Sequence, residues 1–258
     1  MSTMKRTLAS LAVSIGLAFA AIDAGEAAEA TAPPELDWSF NGMFGTFDRA
    51  SAQRGLEVYK QVCASCHGMD LLAYRSLTGI GLSAEQIEAL AESHEVQTCC
   101  TEEGEPFTRP GKPADRFVSP YPNEQAARFA NNGALPPDLT LINKARVGGA
   151  DYVHAVLVGY EDPPPEGVSL MPGMYYNEYF PGHQIGMPPP LSDGVVTYSD
   201  GTEATVDQQA RDVTTFLAWA AEPETEERRA MGVKVLLFLI VLTAFLYALK
   251  RKIWADVH

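Results

Sequence analysis

The chain has four cysteines in 258 residues, and two of those are adjacent. A structural zinc site needs four Cys or His ligands in matched pairs. Cys63 and Cys66 offer one such pair, but Cys99 and Cys100 stand side by side and are poorly placed to be the other. A thioredoxin-like dithiol is equally disfavoured, because no βαβ pattern follows Cys66. Basic residues are also scarce, with 19 Lys and Arg against 33 Asp and Glu and a formal net charge of -14. An acidic surface repels nucleic acid and attracts basic proteins, although acidity also serves plain solubility. No internal repeat is present. With 46% apolar and 20% charged residues, the composition is that of a folded chain with one sizeable domain or two small ones.

What the chain does have is Cys63-Ala64-Ser65-Cys66-His67. Two thiols separated by two residues match the two vinyl groups on one edge of a porphyrin, and the adjacent imidazole then lies under the iron. C-x-x-C-H is therefore the pattern of covalent haem attachment: both cysteines become thioethers and His67 becomes the proximal ligand.

Long apolar runs occur only near the two ends. At the start, Lys5 and Arg6 precede an apolar region over residues 8–21, and the alanine-rich stretch 25–30 offers small-residue cleavage sites. This reads as an export signal over residues 1–28, with the rival reading an uncleaved anchor. Export suits the motif, because haem is joined to such sequences on the oxidising side of a membrane. The second run, residues 233–249, is apolar on all faces apart from Lys234 near its start, and with Met231 and Gly232 it approaches twenty residues. At 1.5 Å per residue that spans a hydrocarbon core of about 30 Å. Lys250-Arg251-Lys252 follows it, which puts residues 251–258 on the cytoplasmic side and residues 29–227 outside, with the anchor at 228–250. Between residues 29 and 227 there are 30 Asp and Glu against 11 Lys and Arg, a net charge of −19.

Within the exported part the pattern is mainly helical. Residues 31–47, with Pro33, Pro34 and several aromatics, read as an extended arm. Asp48 caps a helix over about 49–62 that delivers Cys63. Residues 71–74 suit a short helical turn, and Ser83 caps a helix to about 95, with Gln86 placed for a capping box. Residues 96–122 read as a long surface loop. Within it, Cys99 and Cys100 are open to three states: a vicinal disulfide, free thiols, or pairing with another subunit. Helices are expected at 123–131 and 149–159. A hairpin-like turn is expected at 199–202, between short strands at 195–198 and 203–206. Asp207 is expected to cap a last helix with Ala210, Val213, Phe216, Leu217 and Ala220 on one face, bent or broken at Pro223.

A helix before the attachment motif and another at the end of the soluble part is the arrangement of class I c-type cytochromes, in which a distant methionine supplies the second axial ligand. Met69 is too near His67 to reach the opposite face. Met187, in Gly186-Met187-Pro188-Pro189-Pro190, ranks first because the prolines stiffen its support; Met174 ranks second and His183 third. Residues 135–139, Leu-Pro-Pro-Asp-Leu, suit a rigid crevice wall.

Taken in order, Cys63 to His67, the run 132–139, Ala145-Arg146 with Gly148-Gly149, Tyr179 to Gly182, Ile185 to Pro190, the run 216–223 and Arg229 to Gly232 resemble the cytochrome c1 family, the haem subunits of bc1 complexes. The resemblance covers nearly the whole exported chain. It implies a mainly α, class I cytochrome c-like haem domain with long loop insertions and a small hairpin, followed by one C-terminal transmembrane helix. It also implies one covalently attached haem c, held by Cys63 and Cys66, with His67 and Met187 on the iron. Arg146 resembles the arginine that meets a haem propionate, Tyr152 a nearby crevice tyrosine, and Leu135, Pro136 and Pro137 the haem wall. No role carries over to Cys99 and Cys100. The implied activity is one-electron transfer from a Rieske iron-sulfur subunit to a soluble basic c-type cytochrome. Cytochrome b and membrane lipid are the further partners; nucleic acid is not one. The alanine-rich signal and short tail have a bacterial character, so the outer compartment is a periplasm and the membrane is the inner one. Two other readings are an anchored cytochrome c serving a terminal oxidase, and a haem peroxidase or sensor. The first typically has a shorter His-to-Met separation; the second needs an exchangeable sixth position.

Overall fold

The computed structural model describes residues 31–102 and 104–255. The expected export signal, the exact cleavage point and the last three residues of the tail lie outside them.

Two helices organise the domain. Helix α1 (Arg49–Gln61) starts where the Asp48 carboxylate accepts from the backbone N–H groups of Ala50 and Ser51. Helix α6 (Val206–Ala221) crosses it and contributes the expected apolar face: Ala210, Val213, Phe216, Leu217 and Ala220 are all buried. The helices approach so closely at Gly55 that a Cβ there would stand 2.1 Å from the Asp212 carbonyl oxygen. Around this crossing Leu56, Val58, Tyr59, Tyr74, Phe216 and Trp219 form the densest part of the core.

The other helices are short: α2 (Ala84–Glu92), α3 (Glu124–Ala130) and α5 (Gly149–Val158) lie where the sequence indicates, and a one-turn helix α4 (Ile142–Ala145) was not expected. Helix α2 carries the full capping box between Ser83 and Gln86. Residues 31–47 form the extended arm. The Trp38 indole N–H donates to Asp151 Oδ1 at 2.7 Å, and Arg229 donates to the carbonyls of Phe40 and Gly45.

Four local expectations are corrected. The hairpin is not at residues 195–206, where no strand forms; Asp200 there accepts from Thr202 N–H and pairs with Arg54 instead. Strands do occur inside the stretch expected to be a loop, where β1 (Glu95–Thr98) pairs antiparallel with β2 (Phe107–Pro110). The helical turn expected at 71–74 is a 3-10 helix over Tyr74–Ile80. The cap of α6 is Thr205, whose hydroxyl accepts from Gln208 N–H, while Asp207 sits inside the helix beside His154 and Arg211. Cys99 and Cys100, at the turn of the β1–β2 hairpin, are bonded to each other.

Helix α7 (Thr225–Trp254) begins after the break at Pro223 and runs for 30 residues. It is long and apolar enough to cross a membrane, and the window that qualifies it has none of its residues buried. The apolar run therefore is not a core helix of the domain.

Candidate haem site

Helix α1 ends at Gln61, and the chain tightens into a 3-10 turn over Cys63–Ser65 that presents the motif. The N–H groups of Cys66 and His67 both donate to the Cys63 carbonyl (3.1 and 2.9 Å). Both thiols are free and partly buried. Loss of water around Cys63 pushes its thiol up to about 12. From beneath, the Tyr59 hydroxyl donates to the His67 carbonyl at 3.1 Å, so the core side of α1 fixes the backbone of the motif.

His67 Nδ1 lies 2.8 Å from the Pro137 carbonyl oxygen. A carbonyl only accepts, so this contact puts the proton on Nδ1 and leaves Nε2 with its lone pair, the tautomer a metal-bound imidazole needs. Burial pushes the His67 pKa down, with the Pro137 carbonyl working in the opposite direction. That direction favours the neutral ring that ligation requires.

The segment carrying Pro137 is fastened to the motif at several further points. Leu139 N–H donates to the Gly68 carbonyl (2.9 Å), and the Asp138 carboxylate accepts from the N–H groups of Asp70 and Thr140. At its other end, Ala134 meets the methionine loop: a Cβ on Gly186 would stand 3.2 Å from the Ala134 Cβ and 3.7 Å from the Met174 sulfur. The stretch 134–139 thus meets the imidazole at Pro137 and the neighbour of Met187 at Ala134. Leu135 and Pro136 lie between, half-buried.

Met187 is half-buried and follows a two-residue ladder in which β3 (Tyr175–Tyr176) pairs with β4 (Gln184–Ile185). Met174 sits just before β3 in the same loop. His183 is committed elsewhere: its Nδ1 lies 2.9 Å from the Glu178 carbonyl and its ring stacks on Tyr176. Arg146 is exposed in the turn before α5, donates to the carbonyl of its neighbour Ala145 at 3.4 Å, and among the described residues forms no ion pair. Tyr152, on the first turns of α5, is half-buried. Burial raises its hydroxyl pKa and the Arg146 charge lowers it, so the two side chains share one neighbourhood.

These residues suit a c-type haem by the chemistry of the donor set. There are two free thiols at vinyl spacing, an imidazole with one nitrogen tied to a carbonyl, a second loop bearing methionine, and an exposed arginine for an anionic edge. Two participants lie outside what spacing reveals. The Pro137 carbonyl acts through its backbone, which no side-chain motif encodes, and Tyr160 donates to the Met187 carbonyl at 3.1 Å from 27 residues away.

A family model described as the Cytochrome C1 family matches residues 38–257. The chain belongs to the cytochrome c1 family. It is 51% identical over 247 residues to a cytochrome b/c1 of Bradyrhizobium diazoefficiens, covering 88% of this chain and 36% of that one, so it spans about a third of that relative's length. It is 49% identical over 236 residues to a cytochrome c1 of Rhodospirillum rubrum, covering 86% and 87% of the two chains. It is 51% identical over 224 residues to a mitochondrial cytochrome c1 heme protein of Saccharomyces cerevisiae, covering 87% and 72%. The mainly helical domain with one apolar C-terminal helix is accordingly a cytochrome c1 haem domain with its anchor.

Proposed function

We propose that this chain carries single electrons from the Rieske iron-sulfur subunit of a bc1 complex to a soluble, basic c-type cytochrome. The family makes it a haem-binding, membrane-anchored electron-transfer subunit of that complex; the donor, the acceptor and the covalent attachment belong to the proposal. The observation that carries it is the continuity of residues 134–139, which meet His67 at Pro137 and the methionine loop at Ala134.

In this reading Cys63 and Cys66 would hold one haem c through thioethers, and His67 Nε2 and the Met187 sulfur would bind its iron. When bound, the haem supplies a one-electron iron couple whose potential thioether ligation raises. The protein positions that couple and keeps water off it. Pro137 fixes the imidazole, residues 135–137 wall the crevice, and Arg146 with Tyr152 meets a propionate. With both ligands supplied by the chain no position would be left exchangeable, which disfavours a peroxidase or sensor. The chain makes and breaks no substrate bonds; it acts as a non-autonomous subunit of a ubiquinol:cytochrome c oxidoreductase, beside cytochrome b. Residues 29–227 face the periplasm, 228–250 cross the inner membrane among its lipids, and 251–258 are cytoplasmic.

The acidic domain steers a basic acceptor, an attraction that falls off over a Debye length of about 8 Å at physiological salt. Rapid mixing of the assembled complex with quinol, followed by a basic cytochrome, tests the reading. The haem of this chain becomes reduced before the acceptor does, and the second-order rate drops as ionic strength rises. Turnover with this haem left oxidised would overturn the relay, and a salt-independent rate would overturn the steering.

A further inference from the structure

We propose that Tyr160 is a positioning residue for the axial methionine, locking the one peptide that joins Met187 to Pro188. The proposal rests on the reading of Met187 as ligand. Its starting observation is the hydrogen bond from the Tyr160 hydroxyl to the Met187 carbonyl at 3.1 Å. That carbonyl belongs to an X-Pro peptide. Proline already confines the residue before it to extended backbone, and the tyrosine restrains the same peptide from the other side. A ligand on a loop needs this, because a thioether is a weak donor whose hold on iron depends on the loop not drifting.

The tyrosine is itself well anchored. It stands two residues beyond the end of α5, and its backbone bridges antiparallel to Asn177. Asn177 is fully buried; its side-chain amide donates to the Val156 carbonyl on α5 at 2.8 Å, and its own N–H donates to the His183 carbonyl. Glu178 N–H donates to the Gly159 carbonyl at 2.9 Å. Gly159 is required there, since a Cβ would stand 2.4 Å from the Tyr179 ring. The C-terminal end of α5 and the methionine loop are thus one interlocked unit, and the Tyr160 hydroxyl is its last contact before Met187. Helix α5 then serves the site at both ends, with Arg146 and Tyr152 near its start and Tyr160 just past its finish.

The test compares Tyr160→Phe with Met187→Leu in the haem-loaded full chain. Phenylalanine keeps the ring and removes one neutral hydrogen bond, which raises the population with the sulfur off the iron about fivefold. Tyr160→Phe therefore keeps a weakened sulfur-to-iron absorption band, shows a lower reduction potential, and binds carbon monoxide in the ferrous state about fivefold more tightly than wild type. Met187→Leu loses the band altogether. Wild-type band, potential and carbon monoxide affinity in Tyr160→Phe would overturn the positioning role, while a band retained in Met187→Leu would overturn the ligand reading beneath it. Should Tyr160→Phe fail to take up haem, ultraviolet resonance Raman of the wild type reads the same bond. A donor-type tyrosine signature that exchanges with solvent slowly supports the lock, and its absence overturns it.

Discussion

Replacing Gly55 with alanine sets two effects of opposite sign against each other. In the middle of a helix, Gly→Ala gains about 1 kcal/mol of helix propensity. At this position, however, the new Cβ would stand 2.1 Å from the Asp212 carbonyl oxygen and 2.6 Å from the Phe216 Cβ. Ordinary carbon–oxygen contacts are more than an ångström longer, and the first obstacle is backbone, so α1 and α6 must separate. Overpacking of this kind costs about 1–3 kcal/mol, and a backbone clash belongs at or above the top of that range. Separation also stretches the contacts of Asp212 with Ser51 (2.7 Å) and Arg54 (2.9 and 3.1 Å), which tie the same two helices. The crossing term wins by about 2 kcal/mol, which lowers the melting temperature of a domain this size by about 4–8 °C. Thermal melts of the haem-loaded full chain, followed by circular dichroism and haem absorbance, measure it. An unchanged or raised melting temperature would show that propensity governs Gly55 and that the crossing is not the tight centre of the fold.

Further predictions follow from charged groups. Asp212 is fully buried on α6, and Asp212→Ala leaves the largely buried Arg54 with Asp200 as its remaining carboxylate; the expected loss, read by denaturant unfolding, stays below the about 3–5 kcal/mol of an uncompensated buried charge. Asp115 is held at about 2 by the Arg109 guanidinium and the Lys112 N–H. A lowered carboxylate contributes stability above its unfolded pKa, near 4, and loses it as pH falls towards 2. The amide protection factors across the β1–β2 hairpin, corrected for intrinsic exchange, should fall over that window in the wild type, with a flatter profile in Arg109→Ala. Burial pushes His154 down, with Asp207 opposing. The unfolded chain therefore takes up that proton first, and stability falls as pH drops below about 6.5. His154→Gln should show a smaller loss of melting temperature between pH 8 and pH 5 than the wild type does; an equal loss would remove His154 from the account.

The sequence made most of the helices visible because caps and apolar stripes are written in local spacing. The caps at Asp48 and Ser83, the stripe from Ala210 to Ala220 and the break at Pro223 all appear where those residues indicate. The C-x-x-C-H motif and the proline-backed Met187 are equally local. The hairpin was misplaced because Ser199-Asp200-Gly201-Thr202 is a strong turn signal, but Asp200 is drawn to Arg54 and Gln61 bonds both backbone groups of Thr197, so the flanks never pair with each other. The real hairpin consists of two four-residue strands in a polar, largely exposed stretch, too short and too poor in apolar residues to announce itself. Thr205 displaces Asp207 as the cap because its hydroxyl reaches the Gln208 N–H, and the Asp207 carboxylate serves His154 and Arg211. The Pro137 carbonyl and the Tyr160 hydroxyl were invisible for a different reason. Their partners are 70 and 27 residues away, and each contact ends on a backbone carbonyl that any residue would carry.

The central claim is that His67 and Met187 together close the coordination of a covalently held haem. Optical spectra and reduction potentials of Met187→Leu and Met174→Leu, each purified with its haem, test it most directly. The first variant should lose the sulfur-to-iron band, fall in potential and bind carbon monoxide when reduced. The second, whose sulfur packs beside Gly186, keeps the wild-type band and potential. A Met187→Leu protein with an unaltered spectrum, or a Met174→Leu protein that alone loses the band, would contradict it.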